Sequence, residues 1–288
     1  MNVPKSAAME TNISLGREMG DVMLEYFTTK NLPQAIKTEE DPLSGKPHRS
    51  IVTAGDQVIS DRVVAFFAIQ DRPVASEEQG GTAVYGTPDA EYLDPINGTK
   101  NVVEARRLLD SQSIGAFSLG SAVGGRLVRG VVNFPLLDRP RLYWAEEGRG
   151  AFRVMDGHYE EGRLQINPEP TRGIVLVAEN NSPHAARLQA AGLTPLKQFG
   201  AVFKACCVAD PNLLAEYDPQ VLPGDAVVGF LSASTQAHDY AAAKVLISEA
   251  GGLACSLSGD DLALTAGRHG CLFANSPATR DRILDAII

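Results

Sequence analysis

Several short stretches of the chain carry acids where a cation could be held. The longest is Glu91-Tyr92-Leu93-Asp94-Pro95-Ile96-Asn97-Gly98-Thr99-Lys100-Asn101. Here an apolar run ends in an aspartate, then a proline-stiffened turn, then a Gly-Thr pair where a helix can begin. Such a turn brings a carboxylate, a backbone carbonyl and several free N–H groups into one small volume. Carboxylate and carbonyl oxygens suit a hard cation such as Mg2+, and N–H groups at a helix start suit a phosphate. Asp56, the adjacent pair Glu77-Glu78 and Asp239 stand at three further points where the chain changes character. Neighbouring carboxylates such as Glu77 and Glu78 repel each other unless water or a cation relieves them.

Each of these residues also has a purely structural use. Thr99 fits as the N-cap of the helix after Gly98, and Asp56 and Asp239 fit as caps of the helices they precede. Glu77-Glu78 before Gly80-Gly81 reads equally as a solvated acidic turn. Lys46 and His48 can reach a phosphate or lie free in solvent, and so can Lys100. Gly120-Ser-Ala-Val-Gly124-Gly125 fits neither nucleotide-loop spacing and reads as a hairpin turn.

The elements that must position these groups follow from periodicity. Leu15, Met19, Val22, Met23, Tyr26 and Phe27 predict an amphipathic helix over 12–28. Residues 30–50, broken by Pro33, Pro42, Gly45 and Pro47, read as a long loop. Val58, Ile59, Val63 and Phe66 predict a helix after Asp56. Strands are expected near 73–76, 113–119, 125–134, 141–152, 174–178 and 270–274. Helices are expected near 183–191, from Gly200-Ala201 through Val208, from His238 to Ala250 and over 279–288, with Gly251-Gly252 ending the third. The polar stretch 153–170 is a plausible domain boundary.

The Asp94 stretch resembles the Asp-Pro-Ile-Asp-Gly-Thr signature of the inositol monophosphatase family, a Mg2+-dependent branch of the sugar phosphatase superfamily. Glu77-Glu78 match the acids of that family's Gly-Glu-Glu. Ala145-Glu146 and Gly148 to Phe152 match its Ala-Glu and Gly-x-Gly-Ala-Phe, and Asp239 with Glu249-Ala250-Gly251-Gly252 matches its last motif. The resemblance implies an α/β (α+β) fold, a five-layer α-β-α-β-α sandwich. Residues 1–155 would form an antiparallel-sheet domain with most ligands, and 156–288 a second α/β domain. It implies a phosphomonoesterase acting on a small cyclitol, sugar or nucleoside monophosphate. Two or three Mg2+ ions would be held by Glu77, Asp94, the carbonyl of Ile96, position 97 and Asp239, with Glu78 in support. Gly98 and Thr99 would grip the phosphate. Asp56 and Thr99, with Glu77, would activate the attacking water. Gly200, Ala201 and His238 would contact substrate. A homodimer in the cytoplasm is implied as well.

The chain departs from the family at four places. Asn97 stands for the second signature aspartate, Ser50 for the first acid of an Asp-Leu-Val-Thr…Asp pattern, and His238 for a tryptophan. Residues 217–236 are longer than the family leads one to expect. Val227, Val228, Phe230 and Leu231 there are read as an extra strand or flap that shapes specificity. Asn97 leaves three readings open: an engineered trap for metals and substrate, a slow or metal-poor natural enzyme, or a non-catalytic relative that binds a phosphorylated ligand. Lys100 after Gly-Thr resembles the nucleotide 3′-phosphatase branch.

Composition bounds these readings. With 288 residues, 44% of them hydrophobic, the chain can bury a substantial core. A formal net charge of −9 argues against a sequence-blind nucleic-acid surface. No apolar run is long enough to cross a bilayer, and residues 1–10 lack a signal-peptide pattern. Cys206, Cys207, Cys255 and Cys271 lack zinc-like spacing and read as reduced, mostly buried thiols.

Overall fold

The computed structural model describes residues 4–28, 34–40, 47–79, 84–107, 113–155, 161–168, 173–177, 182–197, 200–218, 221 and 226–287. Helix α1 (Ala7–Thr28) starts a turn earlier than its periodicity suggests. Met9 and Ile13 extend its buried face onto Trp144 and Phe152. The expected loop 30–50 is instead largely a hairpin, in which β1 (Gln34–Glu40) pairs antiparallel with β2 (Pro47–Thr53). Burial patterning gives no sign of β1, because it is mostly solvated: Ile36 is 69% exposed. Lys46 lies outside the described residues, as does the side chain of His48.

Helix α2 (Ala54–Ala68) leads to β3 (Val74–Ser76), and a 3₁₀ turn at Glu77–Gln79 follows. The next strand, β4 (Ala90–Asn97), carries the acidic signature into α3 (Thr99–Arg107). Then come β5 (Ala116–Val123), β6 (Arg126–Phe134), β7 (Arg141–Glu146), β8 (Gly150–Met155) and β9 (Glu161–Leu164). They form a seven-stranded sheet in the order β3-β4-β5-β6-β7-β8-β9, antiparallel except between β3 and β4. The sheet thus continues past residue 155 into β9. The turn between β5 and β6 is Gly124-Gly125 alone, both at positive φ as a tight hairpin requires. Gly120 is inside β5, contrary to the expected connection, and packs against Ala241.

The second sheet has five strands: β10 (Gly173–Val177), β11 (Thr194–Lys197), β12 (Ala226–Thr235), β13 (Leu253–Ser256) and β14 (His269–Ala274). Their order is β11-β10-β12-β14-β13. Strand β12 is central, parallel to β10 and antiparallel to β14, and Val227, Val228, Phe230 and Leu231 are buried in it. Of the strand and the flap expected at these four residues, the strand is what forms, and it lies in the core. Its continuous apolar run fits burial on both faces. Residues 219–220 and 222–225 of the same stretch lie outside the described residues.

Helices α4 (Ser182–Ala190) and α8 (Pro277–Ile287) cover the outer face of the second sheet. Helices α5 (Ala201–Ala209) and α7 (Ala237–Glu249) lie between the sheets, with the short α6 (Pro211–Ala215) following α5. Helices α1 and α2 cover the outer face of the first sheet. The layers are therefore α1/α2, seven strands, α5/α7, five strands and α4/α8, an α-β-α-β-α sandwich. Helix α7 lies against β5 and β6 at backbone distance. A Cβ on Gly120 would stand 2.6 Å from the Cβ of Ala241, and one on Gly130 would stand 2.4 Å from the carbonyl oxygen of Ala242. All four cysteines are buried free thiols. No described helix is long and apolar enough to cross a membrane.

Candidate active site

Four elements deliver the acids. Thr53, not Asp56, is the N-cap of α2, and Asp56 is its third helical residue in a capping box. One carboxylate oxygen, Oδ2, accepts from the Thr53 N–H at 2.8 Å and from its hydroxyl at 2.6 Å. The other, Oδ1, accepts from the Thr99 hydroxyl at 3.2 Å. Asp239 is placed the same way in α7: Gln236 is the N-cap and donates its N–H to Asp239 Oδ2 at 2.7 Å. In both helices the acid sits one turn inside the position expected of a cap. A single oxygen meets the backbone there, which leaves the other for different work.

Strand β4 slips register between Asp94 and Asn97: three residue steps on β4 face two on β5. A bulge of this kind re-aims side chains at a strand end, and Pro95, which lacks an N–H, sits inside it. Asp94 and Asn97 are both buried. Asn97 Nδ2 donates to Asp94 Oδ2 at 2.7 Å, and Asp94 Oδ1 is buried without a hydrogen-bond partner among the described residues. The Thr99 hydroxyl also donates to the Ile96 carbonyl, at 2.6 Å. Thr99 is the first residue of α3, and the glycine before it takes φ +86, which lets the strand turn abruptly into the helix.

The acids sense one another's charge. Burial, then Glu77 and Asp239, push the Asp94 carboxyl well above its usual range. Burial, then Asp239, Glu78 and Asp56, push half-buried Glu77 up to about 8, while the Lys37 ammonium pulls it down. Burial raises Asp56 to about 6 against the hydrogen bonds from Thr53 and Thr99, which lower it. Among the described residues no three acid, histidine or cysteine side chains converge into a ready-made ligating cluster. The groups are nonetheless of the right chemistry for a hard cation. They are oxygen donors, held in like-charge proximity, and one buried oxygen is left unsatisfied.

Gly98 and Gly200 are close neighbours, for a Cβ on Gly98 would stand 4.0 Å from the Gly200 Cα. The starts of α3 and α5 therefore meet, and Ala201 begins α5 beside the signature turn. His238 is buried, and its Nδ1 shares a hydrogen bond of 2.8 Å with the Tyr85 hydroxyl. Lys100 is exposed on the first turn of α3.

Three participants escape a sequence reading. Lys37, on the exposed hairpin, donates from Nζ to the Glu77 carbonyl at 2.7 Å. The N–H of Val202 donates to Asn97 Oδ1 at 3.1 Å. Tyr85 holds His238. The one available signal was at Gly200, a glycine before a helix with no side chain to cap it.

The chain matches the family model described as the inositol monophosphatase family over residues 5–287. It is 28% identical to the histidinol-phosphatase of Mycobacterium tuberculosis (strain ATCC 25618 / H37Rv) over 84% of this chain and 85% of that protein. It is 25% identical to the inositol-1-monophosphatase of Mesorhizobium japonicum over 100% of this chain and 95% of that one. Among solved structures, an IMPase/NADP phosphatase complexed with Mg2+ and phosphate superposes with a TM-score of 0.71. That likeness covers 96% of this chain and 93% of the other at 16% identity, and it shows a shared fold. A match that leaves only the extreme ends outside it makes the chain a member of the inositol monophosphatase family of phosphoric monoester hydrolases.

Proposed function

We propose that this protein is a Mg2+-dependent phosphomonoesterase acting on a small cyclitol, sugar or nucleoside monophosphate. The observation that supports this most is the crowding of carboxyl groups around Asp94. Among the described residues its Oδ1 is buried without a partner, and Glu77 and Asp239 press on it electrostatically. Such a site calls for a cation. Bound Mg2+, two or three ions in this reading, would polarise the phosphoryl oxygens and make hydroxide available near neutral pH. Glu77, Asp94, Asp239 and the Ile96 carbonyl are the residues to hold it, with Glu78 beside them. The N–H groups of Gly98 and Thr99, at the start of α3, are suited to receive the phosphate. The Thr99 hydroxyl donates a hydrogen bond to the Ile96 carbonyl or to Asp56. Its oxygen is then left to accept from a water, and Asp56 backs that contact. Gly200, Ala201 and His238 are assigned to the substrate wall. A cytoplasmic homodimer completes the proposal.

The hydrogen bond from Asn97 to Asp94 favours one other reading, a silent relative that binds a phosphorylated ligand without cleaving it. Phosphate release separates the two. Inositol, sugar, nucleoside and histidinol monophosphates are assayed with and without Mg2+, beside Glu77→Gln. We expect Mg2+-dependent release that Glu77→Gln abolishes. Ligand binding without release from any ester would replace the first reading with the second.

A further inference from the structure

Asn97 is held at both ends. Its Nδ2 donates to Asp94 Oδ2 at 2.7 Å, and its Oδ1 accepts from the Val202 N–H at 3.1 Å. Turning the amide over would set donor against donor at Val202 and acceptor against carboxylate at Asp94, so the two bonds fix its orientation. Val202 is the second residue of α5, and its N–H is one of the donors a helix start leaves without an internal partner. Gly200, the N-cap, has no side chain to satisfy it. Asn97 therefore caps α5 from a different sheet, 105 residues away in sequence. Gly200 makes room for this. It takes φ +71, and a Cβ there would stand 3.2 Å from Asn97 Oδ1.

We propose that Asn97 is a positioning residue, not a cation ligand. Its amide stands in for the ion that two facing aspartates would share, so the site takes one Mg2+ fewer than an aspartate at position 97 would allow. The ion count rests on the Mg2+ phosphatase reading above; the tether does not. An aspartate could still accept from Val202, and the helix start would favour its charge. It could not donate to Asp94, and two buried carboxylates at this spacing need a shared proton or cation. With asparagine, Asp94 and the start of α5 are locked before any ion arrives. With aspartate, the same locking would wait for the ion.

The test compares the full-length chain with Asn97→Asp and Asn97→Ala at pH 8, in EDTA and in Mg2+. Thermal melting and calorimetric titration with MgCl2 are the readouts. In EDTA, Asn97→Asp is expected to melt about 3–6 °C below the parent. Mg2+ should restore it, and the titration should count one more ion per chain than the parent. Asn97→Ala loses both bonds and should stay low in EDTA and in Mg2+ alike. Equal ion counts for the parent and Asn97→Asp would overturn the proposal, as would an Asn97→Asp protein that melts no lower than the parent in EDTA. Absence of Mg2+ binding and phosphate release in every form would sink the phosphatase reading and, with it, the ion count. The tether would then be judged by the EDTA melts alone, and equal melting of parent and Asn97→Ala would refute it.

Discussion

At the scale of single residues, the Thr99 hydroxyl is the hinge of the proposed chemistry. It has one proton and two acceptors, Ile96 at 2.6 Å and Asp56 at 3.2 Å. Asp56 therefore decides how long the Thr99 oxygen faces outward as an acceptor. Asp56→Asn should lower kcat by about 10²–10⁴-fold with little change in KM, since general-base assistance is typically worth that much. Steady-state kinetics at saturating Mg2+ will check it. The acids themselves were legible in the sequence, because each is embedded in a motif whose residue order is distinctive. Their geometry was only half legible. Asp56 and Asp239 pass for N-caps until the residue three before each is seen to take that place. Asn97's two bonds could not be read at all, since one partner lies on α5, in the helical layer between the sheets. Lys37 was hidden for a different reason: it sits on a solvated hairpin whose composition looks like a loop.

At the scale of elements, the approach of α7 to β5 and β6 is what brings Asp239 to Asp94 and Glu77. Two glycines permit it. Gly130→Ala would put a Cβ within 2.4 Å of the Ala242 carbonyl oxygen, which is backbone and cannot swing aside. We expect a loss of about 1–3 kcal/mol from such overpacking, seen as a lower urea midpoint. The Mg2+ requirement should rise as Asp239 is displaced. The other end of α7 is tied as well. Glu249 accepts from the N–H of Gly148 at 2.9 Å and of Gly150 at 2.8 Å, in the turn between β7 and β8. Two motifs far apart in sequence, Gly148 to Phe152 and Glu249 to Gly252, are thus the two sides of one structural join. Glu249→Ala should cost about 1–3 kcal/mol, in line with hydrogen bonds to a charged acceptor, and leave kcat unchanged. The longer helices and the strands β3, β6, β10 and β14 followed from spacing. β1 and β2 passed for a loop because they are solvated, and the four-residue strands β9, β11 and β13 are too short to show a period. β12 was expected only as a strand or a flap, because a strand buried on both faces shows no alternation.

At the scale of the whole molecule, the gathered acids should make stability depend on pH in an unusual direction. Glu77 is raised from 4.5 to about 8, and Asp56 from 3.8 to about 6. Between the lower and upper value of each pair the folded chain keeps a proton that the unfolded chain has lost. Stability must then fall as pH rises across that window. Protein held in EDTA should lose melting temperature from about pH 5 to about pH 8 and level off beyond. Mg2+ should flatten this slope, because a cation takes over from the protons. A melting series at stepped pH, with and without EDTA, reads the effect directly, and a rise in melting temperature over that range would contradict it.

The central pair of helices, α5 and α7, gives both sheets their inner packing. Neither half of the chain owns a complete interior. Made separately, 1–155 and 156–288 would each bare a broad oily surface and clump; made together in one cell, they should find each other and stay in solution. What looks in sequence like two modules with a seam is, as matter, a single block with its keystone borrowed from one side.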